Sequence, residues 1–576
     1  MRISAVILLL ATVLWSCGGE QSDSASTTTA ATDSVTVIDL ASPLDFPLSL
    51  AGNFGELRPY HFHGGLDFKT KGTTGHAVHS VERGYVSAVE VSPWGYGRAV
   101  FVTHPAIGLV TVYGHLEAFS PKIAKLVEAE QIKKESFSVD ISFTPDQIPV
   151  ERGEIIGKSG NAGSSAGPHL HFETRRIDTD RAIDPLQFYA DRITDRTPPE
   201  VRRLSLIPLD CAVVDGASGK PARRGPDSFN KPFTAWGKVV PAIEAFDRMD
   251  NSSNIFGIKH LSLFVDSVEM YRRIIDHFDF PHNRAINSLI YFPDYAEGGR
   301  WTMTTYNPPT HPLSDIVTTN AFNGVIYVLE ERTYHCEFVL ADHFGNSFTL
   351  PFLIEGKKAP CKAVEHKGET VGAGSIRLID TPDAKVVIMP FTLFEPTDIE
   401  VTSKADSRFL SPVVSVGDSH IAVNQPFMLA MPIPAGADKT KLCMVRVSDS
   451  GLSFVESKPH DNFLVTEAKR FGRYAVTTDT RAPSIGGFLG VVTIPGDTTA
   501  TAPKQLSLRI SDDLSGIESF KCYIDGRFVV FDHDGKTATI SRRLDGFPRR
   551  GKPHTLKVIV TDAVGNTNET SFDFTW

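Results

Sequence analysis

Three short stretches of the chain concentrate the residue types that bind metals and move protons. His63-Gly64-Gly65-Leu66-Asp67 sets an imidazole and a carboxylate four residues apart, and both groups are good zinc ligands. On a helix that spacing would bring them to one face. The two glycines argue against a helix, since each costs about 1 kcal/mol in its interior. A turn or strand edge that folds both side chains towards one point fits better. His169-Leu170-His171 is followed by Phe172-Glu173. On a strand, residues i and i+2 share a face, so both histidines face one cleft while Leu170 enters the core. Tyr113-Gly114-His115-Leu116 follows the apolar run Leu109-Val110-Thr111-Val112 and places another histidine at a strand end. A histidine alone is usually a surface or satisfied core residue, and His61, His79 and His104 are assigned to that class.

Together the stretches form a pattern: HxxxD, a Gly-His pair about 50 residues on, and HxH about 55 further. Phe54-Gly55 lies upstream, and the run Gly157-Lys158-Ser159-Gly160-Asn161-Ala162-Gly163-Ser164-Ser165-Ala166-Gly167-Pro168 leads into His169. This resembles the lysostaphin/LytM-type zinc metallopeptidases, over residues 43–190, about a quarter of the chain. The resemblance implies that His63, Asp67 and His171 ligate one Zn2+ and that His115 and His169 are the catalytic pair. Three protein ligands leave a fourth position for water, as in catalytic zinc sites. The metal lowers the pKa of that water and polarises the scissile carbonyl. No HExxH motif is present, so no helix-borne glutamate serves as base. The two non-ligand histidines then share proton transfer and oxyanion stabilisation. Gly157-Lys158-Ser159 is not the end of a phosphate-binding loop, because Arg152 stands where that motif needs glycine.

These residues need strands to hold them. Tyr85–Val89 and Ala99–Thr103 read as strands. Ser120-Pro121 reads as an N-cap followed by proline at the first helical position. Ile123, Leu126 and Val127 share a face, which predicts an amphipathic helix over 121–135. It lies in the stretch 117–150, longer than a compact relative needs, and either walls the cleft as a lid or elaborates the surface.

The whole chain has 576 residues, 41% hydrophobic and 22% charged, with 45 Gly and 37 Pro punctuating short apolar runs. The fold class expected is mainly β: an antiparallel-sheet LytM-type peptidase domain followed by β-sandwich, Ig-like modules. A net charge of −10 without a basic run argues against nucleic acid as a partner. The expected organisation is a lipoprotein signal peptide at 1–17, a flexible Ser/Thr/Ala-rich tether at 18–42, and the peptidase at 43–195. An Ig-like sandwich at 196–357, a β-rich domain of unnamed type at 358–482 and an Ig-like or fibronectin-like sandwich at 483–576 complete it. Leu14-Trp15-Ser16-Cys17-Gly18 resembles a bacterial lipobox, with Cys17 as the lipidated residue. No other segment reaches 18 uninterrupted apolar residues. The remaining cysteines, Cys211, Cys336, Cys361, Cys443 and Cys522, lack zinc-site spacing and leave one or two disulfides open.

A weak repeat supports the two outer modules. Asp247 and Gly257-Ile258-Lys259 precede Asp342-His343-Phe344-Gly345-Asn346. Asp513 and Gly516-Ile517-Glu518 precede Asp562-Ala563-Val564-Gly565-Asn566. The DxxGN runs suit turns between strands. The expected activity is zinc-dependent endopeptidase action on peptidoglycan stem or cross-link peptides, from an exported lipoprotein of the cell envelope anchored to the outer membrane. The C-terminal modules are expected to bind a protein partner. The alternatives are a non-catalytic scaffold or adhesion lipoprotein, and a zinc protease acting on secreted proteins.

Overall fold

The computed structural model describes residues 38–250, 252–360, 366–488, 490–493, 504–544 and 551–576. The expected signal peptide, Cys17 and the tether up to residue 37 lie outside the described residues, as does Cys361. Packed chain begins at Leu40, which is fully buried and so lies inside the segment expected to be a tether. Arg192 Nη1 and Tyr189 OH donate to the carbonyls of Leu40 and Ala41.

The site-bearing sheet is antiparallel, as the alternating apolar runs predict. Its strands are β1 (Leu50–Gly52), β2 (Leu66–Lys69), β3 (Gly84–Val91), β4 (Arg98–His104), β5 (Leu109–Gly114), β6 (Val139–Ser142) and β7 (His169–Arg176). They lie in the order β1-β2-β7-β5-β4-β3-β6. β7 is thus inserted between β2 and β5. Leu66, Phe68, Tyr113, Leu170 and Phe172 alternate away from the site and are fully buried. Tyr189 packs edge-on against Phe68 and Phe172. Burying such side chains is worth roughly 1.5–3 kcal/mol each, which anchors the three site-bearing strands to one core.

Helix α1 spans Pro121–Lys134 and ends with Glu135 in the left-handed region. Its inner face is Ile123, Val127 and Gln131, whereas Leu126 is exposed, because the helix rests on the sheet along a narrower stripe than the sequence pattern implied. β6, which follows α1, pairs with β3 at the sheet edge four strands from β7, about 19 Å away at ordinary strand spacing. The strand that closes the stretch 117–150 therefore extends the far edge of the sheet.

The next segment continues the same sheet. His277–Phe278 pairs antiparallel with Ala182–Ile183. The segment is built on the long strand Phe233–Phe246, which pairs with Glu200–Pro208 along one half and in parallel with Ser347–Gly356 along the other. That parallel pair is an exception to the antiparallel expectation. Residues 369–478 form two five-stranded sheets and a two-stranded pair, Glu369–Val371 with Thr397–Ile399, around one core that includes Val386, Leu429, Met431, Val416, Met444 and Tyr474. At the C-terminal end a five-stranded and a four-stranded sheet pack through Leu506, Leu508, Ile510, Leu556, Val558 and Val560. Each trio lies at i, i+2 and i+4 of its strand and so faces one side. Cys336, Cys443 and Cys522 are buried free thiols, while Cys211 is disulfide-bonded. No helix among the described residues is long and apolar enough to cross a membrane.

Candidate functional site

Register brings the sequence motifs together. His171 on β7 lies opposite Asp67 on β2 and opposite Gly114 at the end of β5. Cross-strand partners share a face, so His171 and Asp67 meet and His115 follows immediately. The two glycines of the first motif permit this approach. A Cβ on Gly65 would sit 2.1 Å from the Phe172 carbonyl oxygen, and one on Gly64 would sit 2.6 Å from Glu173 Oε1.

Three atoms converge. His63 Nε2 lies 3.0 Å from Asp67 Oδ1 and 3.0 Å from His171 Nδ1, and His171 Nδ1 lies 2.9 Å from Asp67 Oδ1. The outward nitrogens are already engaged. His63 Nδ1–H donates to the Asn53 carbonyl at 2.6 Å, and His171 Nε2–H donates to Glu173 Oε1 at 2.8 Å. Those bonds fix the tautomers and aim both remaining lone pairs at one point. Tetrahedral bonds of about 2.0–2.1 Å would separate ligand atoms by about 3.3 Å, so this triangle needs only a slight expansion to hold a zinc ion. Its residues are 2–5% exposed, and its N, N, O donor set suits that metal.

The surroundings reinforce this. Arg58 Nη2 donates to Asp67 Oδ2 at 2.8 Å, leaving Oδ1 to the centre. Glu173 Oε2 receives Arg175 through Nε at 2.8 Å and Nη2 at 2.6 Å, and Tyr96 OH donates to Oε1 at 2.7 Å. Asn53 is held in turn by Gly257, whose N–H and carbonyl both bond its side-chain amide at 2.9 Å. The segment beyond residue 195 thus buttresses His63.

Charge follows burial and partners. Burial lowers His63 to about 4, so it is a neutral donor at neutral pH. Burial and the neighbouring His171 and His169 lower His115 to about 3. Burial also opposes charge on His171, but Asp67 and Glu173 on its two sides outweigh it and raise it to about 9. Burial would raise Asp67 as well, yet the histidines around it hold it well below the carboxylate range.

The other two histidines stand beside this triangle. His115 occupies the left-handed region at φ 60°, a conformation uncommon outside glycine. Its Nδ1–H donates to the Ala162 carbonyl at 2.9 Å. His169 Nδ1–H donates to the Gly167 carbonyl at 2.8 Å, and its Nε2 lies 3.3 Å from Asp67 Oδ1. The two rings are 4.8 Å apart. All five residues singled out in the sequence are gathered at one place. His61, His79 and His104 stay outside it: His79 pairs with Asp45 and His104 bonds Thr111. Sequence reasoning assigned no role to Arg58, Asn53, Tyr96, Glu173 or Arg175. Only Glu173 carried a signal, because it continues the i, i+2 face of His169 and His171.

Comparison with known proteins adds relatives for part of the chain. It is 32% identical over 119 residues to the DD-carboxypeptidase/endopeptidase Mpg of Neisseria meningitidis serogroup B, covering 21% of each protein. It is 34% identical over 132 residues to an uncharacterized metalloprotease of Haemophilus influenzae, covering 23% of this chain and 21% of that one. The chain thus spans about a fifth of the length of these curated relatives. Among solved structures, the catalytic domain of the prophage-encoded M23 protein EnpA from Enterococcus faecalis is 25% identical, over 24% of this chain and 86% of that chain, with a TM-score of 0.18. The lysostaphin catalytic domain from Staphylococcus simulans is 23% identical, over 24% and 89%, with a TM-score of 0.18. A family model described as a Zu5-like domain matches residues 370–479, the block for which the sequence offered no name.

Proposed function

We propose that residues 43–195 are a zinc endopeptidase of the lysostaphin/LytM type that hydrolyses peptide amides of peptidoglycan. The observation that carries the reading is the convergence of His63 Nε2, Asp67 Oδ1 and His171 Nδ1 within 3.0 Å of one another, with two further histidines beside them. His63, Asp67 and His171 hold the zinc. When bound, zinc supplies Lewis-acid chemistry, acidifying water and polarising a carbonyl. His115 and His169 have their Nδ1 atoms committed to backbone carbonyls, which leaves each Nε2 to exchange a proton or to donate to a developing oxyanion. Burial keeps His115 neutral at rest, and the two histidines would share proton transfer and oxyanion stabilisation. Glu173 and Arg58 keep His171 and Asp67 oriented while charge shifts at the centre.

Substrate class is supported by the curated relative named as a DD-carboxypeptidase/endopeptidase and by the cleft beside Arg58. That cleft, about 630 Å³, is lined by Tyr60, Arg284, Trp301, Arg446 and Arg470 among others. Its arginines suit the carboxylates of a stem peptide, and its aromatic rings suit apolar stems and sugar faces. We further propose an exported lipoprotein, anchored through Cys17 in the outer membrane, whose C-terminal Ig-like modules bind a protein partner. The lipobox resemblance and the two-layer sandwich at the C-terminal end support these readings. The test is incubation of purified peptidoglycan with the full chain, with zinc and after chelation, beside His169→Ala. New amino termini should appear with zinc-loaded wild type alone. Their absence under every zinc condition would refute the enzyme.

A further inference from the structure

The chain leaves the peptidase region through a second cluster of ligand-type atoms, unconnected with the histidines. Asp195, Asp247 and Asp342 each offer a carboxylate oxygen, and these oxygens lie within 4.8 Å of one another. The three residues are 7%, 2% and 3% exposed. They come from the linker, from the loop after Phe233–Phe246, and from the turn after Thr333–Ala341.

Part of their bonding is local. Asp195 Oδ1 accepts from the amides of Asp250 at 2.9 Å and Thr197 at 3.2 Å. Asp342 Oδ1 accepts from Phe344 N and Asn346 N at 2.8 and 2.9 Å, and its Oδ2 accepts from Asn346 Nδ2 at 2.7 Å. Two oxygens are left over. Asp195 Oδ2 and Asp247 Oδ1 are buried and accept no hydrogen bond. An unsatisfied buried carboxylate oxygen costs several kcal/mol unless a cation or a proton meets it. Burial, then Asp342 and Asp195, push the Asp247 carboxyl up to about 8, as expected where like charges gather without a compensating cation.

The same arrangement recurs at the start of the C-terminal sandwich. Asp479, Asp512 and Asp562 form an equivalent group. Asn566 Nδ2 bonds the Asp479 carbonyl at 3.1 Å and Asp562 Oδ2 at 2.7 Å. Asn346 Nδ2 likewise bonds the Asp195 carbonyl at 3.2 Å and Asp342 Oδ2 at 2.7 Å. The residue matching Asp247 is Asp512, not the Asp513 expected from the sequence repeat, because Asp513 pairs with Arg481 at the surface. Asp512 is only half-buried, so the argument is confined to the first cluster.

We propose that Asp195, Asp247 and Asp342 bind a calcium ion that fixes the peptidase to the domain that follows it. All donors are oxygen, which selects a hard cation. Oxygens no more than 4.8 Å apart can share one ion at Ca–O bonds of about 2.4 Å, whereas Mg2+ rarely occupies an all-protein carboxylate cage. The ion would join three chain segments, so binding stiffens the linker at Asp195.

The test uses the full chain, zinc-loaded, in calcium-free buffer. Equilibrium dialysis against radioactive calcium should show saturable binding with a Kd below about 1 mM, the upper end for extracellular modules. Asp247→Asn keeps the shape, removes one charge, and should weaken that binding by at least about tenfold. Its zinc content should be unchanged, and its melting temperature without calcium should equal or exceed that of wild type, because a repulsion has been relieved. Asp195→Asn reads the same site should Asp247→Asn fail to fold. Wild type with no saturable calcium binding of Kd below about 1 mM, or Asp247→Asn binding calcium as wild type does, would overturn the proposal.

Discussion

Gly65→Ala tests whether the close approach of β2 to β7 builds the metal site. The new Cβ would lie 2.1 Å from the Phe172 carbonyl oxygen, where a real Cβ keeps at least 3.0 Å. The strands must therefore part locally by about 0.9 Å. Asp67 rides on β2 two residues along, and His171 precedes Phe172 on β7. Metal bonds hold to within about 0.2 Å, so a displacement of this size exceeds what the ligand triangle absorbs. A misplacement of about 1 Å costs on the order of 100-fold in rate, or about 2.7 kcal/mol of transition-state stabilisation. The overpacking itself should cost about 1–3 kcal/mol of stability. Zinc affinity by chelator competition, kcat on a soluble stem peptide, and thermal melts would be measured beside Gly374→Ala, where an added Cβ meets nothing within 4 Å. Wild-type zinc affinity and kcat in a folded Gly65→Ala protein would refute the reasoning.

Other consequences are briefer. Glu173→Gln can still accept from His171, but its amide NH2 must face the Arg175 guanidinium, so zinc affinity should fall about tenfold and stability by roughly 3 kcal/mol, read by metal titration and calorimetry. Lys536 of the C-terminal sandwich donates to the carbonyls of Asn161 and Ser165, which flank Ala162, the acceptor for His115. Lys536→Ala should lower kcat several-fold with KM little changed; a shift in KM alone would speak against a positioning role. Asp184 is buried, which by itself raises its pKa, but His343 and Lys259 more than compensate and depress it. A depressed carboxylate stabilises the fold above its unfolded value of about 3.9 and loses that contribution as pH falls through the folded value. Acid unfolding below pH about 4 should therefore be less steep in Asp184→Asn, and an unchanged acid limb would contradict the assignment.

Much of the site was legible because strand periodicity is local. His169, His171 and Glu173 share a face by the rule of two, and the glycines of His63–Asp67 mark a turn or strand edge rather than a helix. The partners that orient them were not legible. Asn53 depends on Gly257, about 200 residues away, and Arg58 has no spacing relation to Asp67 beyond a turn. The DxxGN runs were read as turns, and they are turns, since Asp342 Oδ1 and Asp562 Oδ1 each accept two backbone amides. Their third acid was misaligned by one residue, because Asp512 and Asp513 are chemically identical in sequence and differ only in which one the strand end buries. The 117–150 insertion left lid and surface open. Pairing of β6 with β3 carries its last strand to the far edge of the sheet, and such long-range pairing leaves no local mark.

The central claim is that His63, Asp67, His115, His169 and His171 form one zinc-dependent amide-hydrolysing centre acting on peptidoglycan. The most direct measurement is the mass spectrum of muropeptides after digestion of purified, cross-linked peptidoglycan by the zinc-loaded full chain. Loss of cross-linked species or shortening of stem peptides is expected, the products of each cut together one water heavier than the parent, with the glycan intact and no change after zinc removal or in His115→Ala. Unaltered muropeptides with zinc present, or cleavage confined to the glycan, would contradict it.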